Sequence, residues 1–203
     1  MSIRISAGKY RGAVIDSPYS ARPTLSRARQ SLFDILESLS LDGHSGGFFE
    51  GKKVFDCFAG SGALGIESLS RGATFAFFAE IDKKAVDILY KNIKSLKIEN
   101  YCRVMKGDVS CLKLSNKYKP ELCDIVFLDP PYGKVSIVKT IKYLQSVGWI
   151  NSDSLLITEE DKRHTEDFSC YHCLKEKEMG DSVFKLLKLS GLHLNIAQFG
   201  NHI

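Results

Sequence analysis

From residue 53 onward, short apolar runs alternate with amphipathic segments, the pattern of βα repeats around a mainly parallel sheet. The apolar runs predict strands over 53–58, 74–80, 103–107, 124–129 and 154–158. Between them, 63–71, 83–96 and 137–147 predict helices. In the second of these, Val86, Leu89, Tyr90, Ile93 and Leu96 recur at helical spacing and line one apolar face. The pattern changes near the end. Residues 171–178 and 183–189 are strand-like runs around Met179-Gly180-Asp181-Ser182, with no helix-length segment between them, so an antiparallel hairpin closes the sheet.

Before residue 53 the stretch "RISAGKYRGAVID", punctuated by Gly8 and Gly12, reads as a short β-ribbon, and Pro23-Thr24 opens a helix that runs to about residue 40. Leu25, Ala28, Leu32, Ile35, Leu36 and Leu39 form its apolar stripe, which leaves Arg27, Arg29 and Gln30 toward solvent. The expected organisation is a ribbon and helix over 1–40, a glycine-rich connector over 41–52, an α/β domain over 53–190 and a tail over 191–203.

Composition narrows the class. With 203 residues, 44% of them hydrophobic, the chain suits one globular core that buries about 70% of its unfolded surface. No run approaches the roughly 20 apolar residues of a membrane span, and the amino terminus alternates polar with apolar where a secretory signal is continuous, so a cytoplasmic location is expected. Six scattered cysteines fit reduced thiols better than a disulfide framework, and Cys170 and Cys173 lack the second pair that a zinc site needs, so no metal is expected. The net charge of +4 is modest, but its placement is uneven. Residues 1–30 hold six basic side chains, Arg4, Lys9, Arg11, Arg22, Arg27 and Arg29, against Asp16 alone, and the remainder is close to neutral. Such a basic region is an electrostatic footprint for nucleic acid.

Candidate chemistry begins at the first βα turn, "VFDCFAGSGALGIESLSRG", where Gly60, Gly62 and Gly65 match G-x-G-x-x-G. Such a loop lets backbone approach a bound nucleoside cofactor and aims helix amides at it. Glu80 ends the next strand, twenty residues after Gly60, where a carboxylate accepts from ribose hydroxyls; Asp82 is the better cap for the following helix. Asp108, after the third strand, suits an adenine amino group. A dinucleotide and S-adenosylmethionine both satisfy these residues. Asp56 favours the second, because an acid there can meet an ammonium that NAD lacks.

The stretch "CDIVFLDPPYGK" points the same way. Asp129 ends the strand that neighbours the glycine-loop strand in such a fold. Its carboxylate and the carbonyl of Pro130 make two acceptors spaced for an sp² amino group, Pro131 restricts the backbone, and Tyr132 can stack on the base that carries the amine. A nucleobase amine is a poor nucleophile because its lone pair is delocalised. Two acceptors on its hydrogens and an electrophilic methyl held about 3 to 3.5 Å away offset that.

On the strings "IRISAGKYRG", "RPTLSRARQSLFDIL", "DCFAGSGALGIESLSRGA", "AEIDKKAVDILYKNI" and "VFLDPPY", the chain resembles the RsmD family, bacterial methyltransferases that modify the N2 amine of one guanine in 16S ribosomal RNA. The resemblance implies a class I methyltransferase fold, Rossmann-like, with seven strands of which the last is antiparallel, binding S-adenosylmethionine. It implies that Asp56, Phe58, Ala59, Gly60, Ser61 and Gly62 cradle the methionine part, that Glu80 and Ile81 hold the ribose side and Asp108 and Val109 the adenine side, and that Asp129, Pro130, Pro131 and Tyr132 take the guanine amine. Arg4, Lys9, Arg11, Arg22, Thr24, Arg27 and Arg29 would face RNA of the small ribosomal subunit, the protein acting as a monomer. The connector over 41–52 is longer and more glycine-rich than the resemblance leads one to expect, and the tail "GLHLNIAQFGNHI" has no counterpart in it. The same four residues would equally serve an enzyme acting on adenine N6 or cytosine N4 in DNA. A catalytically silent RNA-binding assembly factor and an NAD-dependent oxidoreductase are the readings from other classes.

Overall fold

The computed structural model describes residues 2–18, 23–39, 47–109, 119–131 and 135–190. Ser2–Arg4 (β1) and Val14–Asp16 (β2) pair antiparallel as a ribbon, and Pro23–Ser38 (α1) follows. Lys53–Asp56 (β3), Ala63–Ser70 (α2), Phe75–Glu80 (β4), Lys83–Leu96 (α3), Cys102–Lys106 (β5), Ile125–Leu128 (β6), Ile137–Ser146 (α4) and Leu155–Asp161 (β7) then alternate. The hairpin of Tyr171–Met179 (β8) and Ser182–Leu189 (β9) comes last. These bounds lie within two residues of the pattern's expectation except at β7, which runs three residues past the expected end at 158.

The sheet has the order β5-β4-β3-β6-β7-β9-β8. Strands β3 to β7 are parallel, and β9 is antiparallel to both β7 and β8. From β3 the chain winds outward through β4 and β5, then returns to β6 on the other side. The strand order therefore reverses between β3 and β6, which opens a crevice beyond their carboxyl ends.

Period-two alternation divides the strand side chains between two cores. Val54, Ile125, Phe127, Leu155 and Ile157 face one core with α1, α2, α3 and the ribbon, while Phe55, Val126, Leu128 and Leu156 face the other with α4 and Trp149. The helical stripes need three corrections. Leu39 is 42% exposed because α1 has already ended at Ser38, and Tyr90, assigned to the apolar face of α3, is 44% exposed with Lys106 Nζ over its ring. Phe33, absent from the expected stripe, is fully buried against Phe49 and Phe127.

The ribbon is fastened to the glycine-loop side of the sheet. Buried Glu67 on α2 accepts from Ser6 N (2.9 Å), Ser6 Oγ (2.6 Å), Ala7 N (3.1 Å) and Arg71 Nε (2.9 Å). Gly8 passes so close to α2, at φ +77°, that a Cβ there would lie 1.7 Å from the Ser70 carbonyl oxygen. Only glycine fits this crossing. Asn92 on α3 completes the attachment: its Oδ1 accepts from Asp16 N at 2.8 Å, and its Nδ2 donates to the carbonyls of Asp16 and Ser61, both at 2.9 Å. One side chain thus ties the ribbon to the glycine loop.

Candidate active site

At the carboxyl end of β3, Asp56 is buried and accepts from Gly65 N at 3.1 Å. Gly62, in the left-handed region at φ +80°, is the N-cap of helix α2 and provides no side-chain cap. A strand carboxylate therefore takes the role of a capping side chain, on the helix end where partial positive charge gathers. Glu80, at the end of β4, holds two turns at once: Oε2 accepts from Gly60 N and Oε1 from Asp82 N, each at 2.7 Å. Asp82 caps α3 through Ala85 N at 2.8 Å, as its position suggests. The glycine loop and the β4–α3 turn are thereby pinned to one carboxylate that retains further lone pairs for a ligand.

The other expected cofactor residues border the same crevice. Ala59, Gly60, Ser61 and Gly62 are buried in the loop and Phe58 is half-buried. Ile81 is 72% exposed directly after Glu80, the most exposed of the large apolar side chains among the described residues. At the end of β5, Asp108 is half-buried and Val109 buried.

Asp129 follows β6, half-buried, with Pro130 buried and Pro131 exposed behind it. Tyr132 and Arg22 lie outside the described residues, as does the side chain of Thr24. Pro130 lines a cleft of about 420 Å³ whose other walls include Ser136, Glu159, Glu160, Asp161 and Glu166. Most of these acids have evident structural partners. Glu160 accepts from Lys185 Nζ at 2.8 Å, Glu166 caps α4 through Ile137 N at 2.6 Å, and Asp161 pairs with Arg163.

Burial dominates the electrostatics of the rim. Desolvation, with Glu159 and Asp56 adding repulsion, pushes the Asp129 carboxyl well above its ordinary range. Desolvation likewise pushes Asp56 up to about 7, against the Gly65 amide that favours its charge and with Glu80 that disfavours it. A cation beside these acids would favour their charged forms, whereas a pyrophosphate would disfavour them. Among the described residues, no group of three His, Cys, Asp or Glu side chains is arranged to hold a metal ion.

The basic ribbon is built differently from its expected picture. Arg29 is half-buried and donates from Nη2 to the Arg4 carbonyl at 3.0 Å, so it does not lie on the solvent side of α1; burial lowers its pKa. Arg4 donates from Nη1 to the Gly12 carbonyl at 2.9 Å, and Lys9 Nζ sits 5.3 Å above the Tyr10 ring and 5.8 Å above that of Tyr101. Arg11 and Arg27 are exposed. Glu67, Asn92 and Glu159 were not singled out in the sequence. An isolated acid within "IESLS" or "ITEED" carries no sign of what the fold will bring to it.

The comparisons with known proteins agree with one another. A family model described as "Conserved hypothetical protein 95" matches residues 3–188. A Buchnera aphidicola protein named ribosomal RNA small subunit methyltransferase D is 38% identical over 144 residues, 71% of this chain and 69% of the relative. The Escherichia coli K12 protein of the same name is 37% identical over 161 residues, 78% and 75% of the two chains. The solved structure of Escherichia coli yhhF superposes with a TM-score of 0.76 at 31% identity, covering 94% of this chain and 99% of that one. From a family match over nearly the whole length, relatives above 30% identity and a shared mixed seven-stranded sheet, it follows that the chain belongs to the RsmD family.

Proposed function

We propose that the protein transfers a methyl group from S-adenosylmethionine to the exocyclic N2 amine of a guanine in 16S ribosomal RNA of the small subunit. The observation that carries the reading is a pair of acids, buried Asp56 and half-buried Asp129, at the strand ends that flank the switch point, the second joined to Pro130 on the wall of a cleft. Acids that burial leaves short of counter-charge suit a ligand bearing an ammonium and a sulfonium, and disfavour the anionic pyrophosphate of a dinucleotide. Asp56 and the glycine loop would hold the methionine part, Glu80 with Ile81 the ribose side, and Asp108 the adenine. When bound, the cofactor supplies an electrophilic methyl carbon whose bond to sulfur breaks as the bond to nitrogen forms.

The chain's own work is positioning. The Asp129 carboxylate and the Pro130 carbonyl accept the two hydrogens of the amine and turn its lone pair toward the methyl. One of those protons is lost to Asp129 as the nitrogen gains its fourth bond, which leaves a neutral N2-methyl product. The exposed ribbon cations Lys9 and Arg11, with Arg27 of α1, would meet RNA phosphates, which set register without reading sequence.

Incubation of the protein with methyl-labelled cofactor and, in separate reactions, unmodified small subunits, free 16S RNA and duplex DNA tests the reading, with the labelled nucleoside identified after digestion. N2-methylguanosine from the ribosomal substrate is the expected product. N6-methyladenine, N4-methylcytosine or no label in any reaction overturns it.

A further inference from the structure

The cleft beside Pro130 raises the question of what distinguishes guanine from the other amine-bearing bases. In guanine the N2 amine is flanked by a donor, the ring N1–H. In adenine and cytosine the corresponding ring nitrogens next to the amine are acceptors. A base pocket that places an acceptor beside the amine site therefore favours guanine and sets lone pair against lone pair for the other two.

We propose that Glu159 is this acceptor, a specificity-determining residue that takes the guanine N1–H while Asp129 and Pro130 hold the adjoining amine; the inference rests on the guanine-N2 reading above. Register places it there. Leu128 of β6 pairs with Thr158 of β7, so Asp129 and Glu159 are the next residues along two parallel strands that lie roughly 4.8 Å apart. Alternation puts them on the same face: Ile125 and Phe127 lead to Asp129, and Leu155 and Ile157 lead to Glu159, all on the side of α1, α2 and α3. Their proximity is also electrostatic, since Glu159 is the foremost charge acting on Asp129.

Two further observations single it out. Glu159 lines the same cleft as Pro130, so its surroundings have room for a base. It is also held in place, because Ser182 Oγ donates to its Oε1 at 2.7 Å. The other acids of the cleft are directed elsewhere: Glu160 to Lys185 on the opposite face, Glu166 to the start of α4, and Asp161 to Arg163. By alternation Asp161 shares the face of Glu159 but lies two residues further along β7, so among the described acids that line the cleft Glu159 is the one in register beside Asp129.

The test replaces the target guanine with 2-aminopurine, which keeps the 2-amine and loses the N1–H together with O6, in the ribosomal substrate; only the part of the discrimination that Glu159 variants remove is assigned to the N1–H. Wild-type protein is expected to methylate guanine about 100-fold faster than 2-aminopurine, in kcat/KM, the loss a buried unpaired acceptor imposes. In Glu159→Ala the two rates are expected to fall within about threefold of each other, through both a lower guanine rate and a higher 2-aminopurine rate. Glu159→Gln, which keeps the volume and one acceptor oxygen, is expected to retain about tenfold discrimination. A general loss of structure lowers both rates together and cannot raise the second. Discrimination that stays at the wild-type ratio in both variants, with guanosine still labelled, removes Glu159 from recognition and leaves the guanine-N2 reading intact. Wild-type protein that labels no guanine overturns that reading itself.

Discussion

Glu67 and Asp56 are both shut away from solvent within a few residues of the glycine loop, yet they are supplied in opposite ways. Glu67 lies under the ribbon with three donors from Ser6 and Ala7 and the guanidinium of Arg71 around it, at 2.6–3.1 Å. Asp56 stands on the rim and accepts from Gly65 N at 3.1 Å, and burial raises its pKa to about 7. A buried carboxylate whose donors and counter-ion come from the protein is a fastening. One that lacks a cation is waiting for a ligand to supply it. The contrast separates the half of the molecule that is held together by its charges from the half that is strained by them, and substitutions sharpen it.

Asp129→Ala gives the largest effect. Turnover of the ribosomal substrate is expected to fall at least 1000-fold, roughly 4 kcal/mol, because the acceptor that orients the amine is gone. Cofactor affinity, followed by calorimetry, should stay within about tenfold, or roughly 1.4 kcal/mol. Equal loss of both would assign Asp129 to the cofactor instead of the base. On the fastening side, Glu67→Gln is expected to cost about 3 kcal/mol of unfolding free energy in urea titration, because it leaves Arg71, whose side chain is 6% exposed, with only the longer ion pair to Glu37 at 3.4 Å. A variant that unfolds at the wild-type denaturant concentration would show that the ribbon is held by packing alone.

Asp56 should respond in the opposite sense to Glu67. Its folded pKa, about 7, is above its unfolded value near 3.8, so the folded state is stabilised relative to the charged form below pH 4 and loses that contribution progressively as pH rises through 7. Asp56→Asn is therefore expected to leave ligand-free stability unchanged at pH 4 and to raise it at pH 8, while cofactor affinity drops. In the wild type, a cation bound beside Asp56 favours its charged form, so cofactor affinity should increase with pH up to about 7 and level off above it. A flat affinity profile between pH 5 and pH 8 would disconnect Asp56 from the ligand's charge.

The elements that obey a period were legible before the fold was known, and the ones that depend on meeting were not. The βα alternation set the strands and helices to within two residues almost throughout, because a buried parallel strand has few ways to be written. Glu80, Asp56 and Asp129 could be placed since each sits at a strand's carboxyl end, a position the pattern itself marks. The end of β7 was missed because "TEED" looks like a polar turn, although Glu160 is buried there by Lys185 from β9. Arg29 was misread for a related reason. Its helical position points toward solvent, and the Arg4 carbonyl that covers it comes from a strand 25 residues earlier. Pairings across such distances leave no trace in local periodicity.

The smallest expected effect concerns the charges that the fold leaves unspent. Arg4 and Arg29 are engaged in holding the ribbon together, whereas Arg11 is exposed and Lys9 rests on two tyrosine rings with its charge toward solvent. If the ribbon holds RNA through phosphates, Arg11→Ala and Lys9→Ala should each lower RNA affinity only a few-fold at moderate salt, and each should reduce the slope of log affinity against log salt by about 0.7. Arg29→Ala should instead act through the ribbon's attachment, weakening RNA binding together with thermal stability and leaving the salt slope nearly unchanged. Filter binding across a salt series, alongside melting curves of the same variants, separates the two kinds of arginine. A slope that Arg11→Ala does not move would take the exposed ribbon charge out of RNA binding and leave the ribbon as a structural brace for the glycine loop.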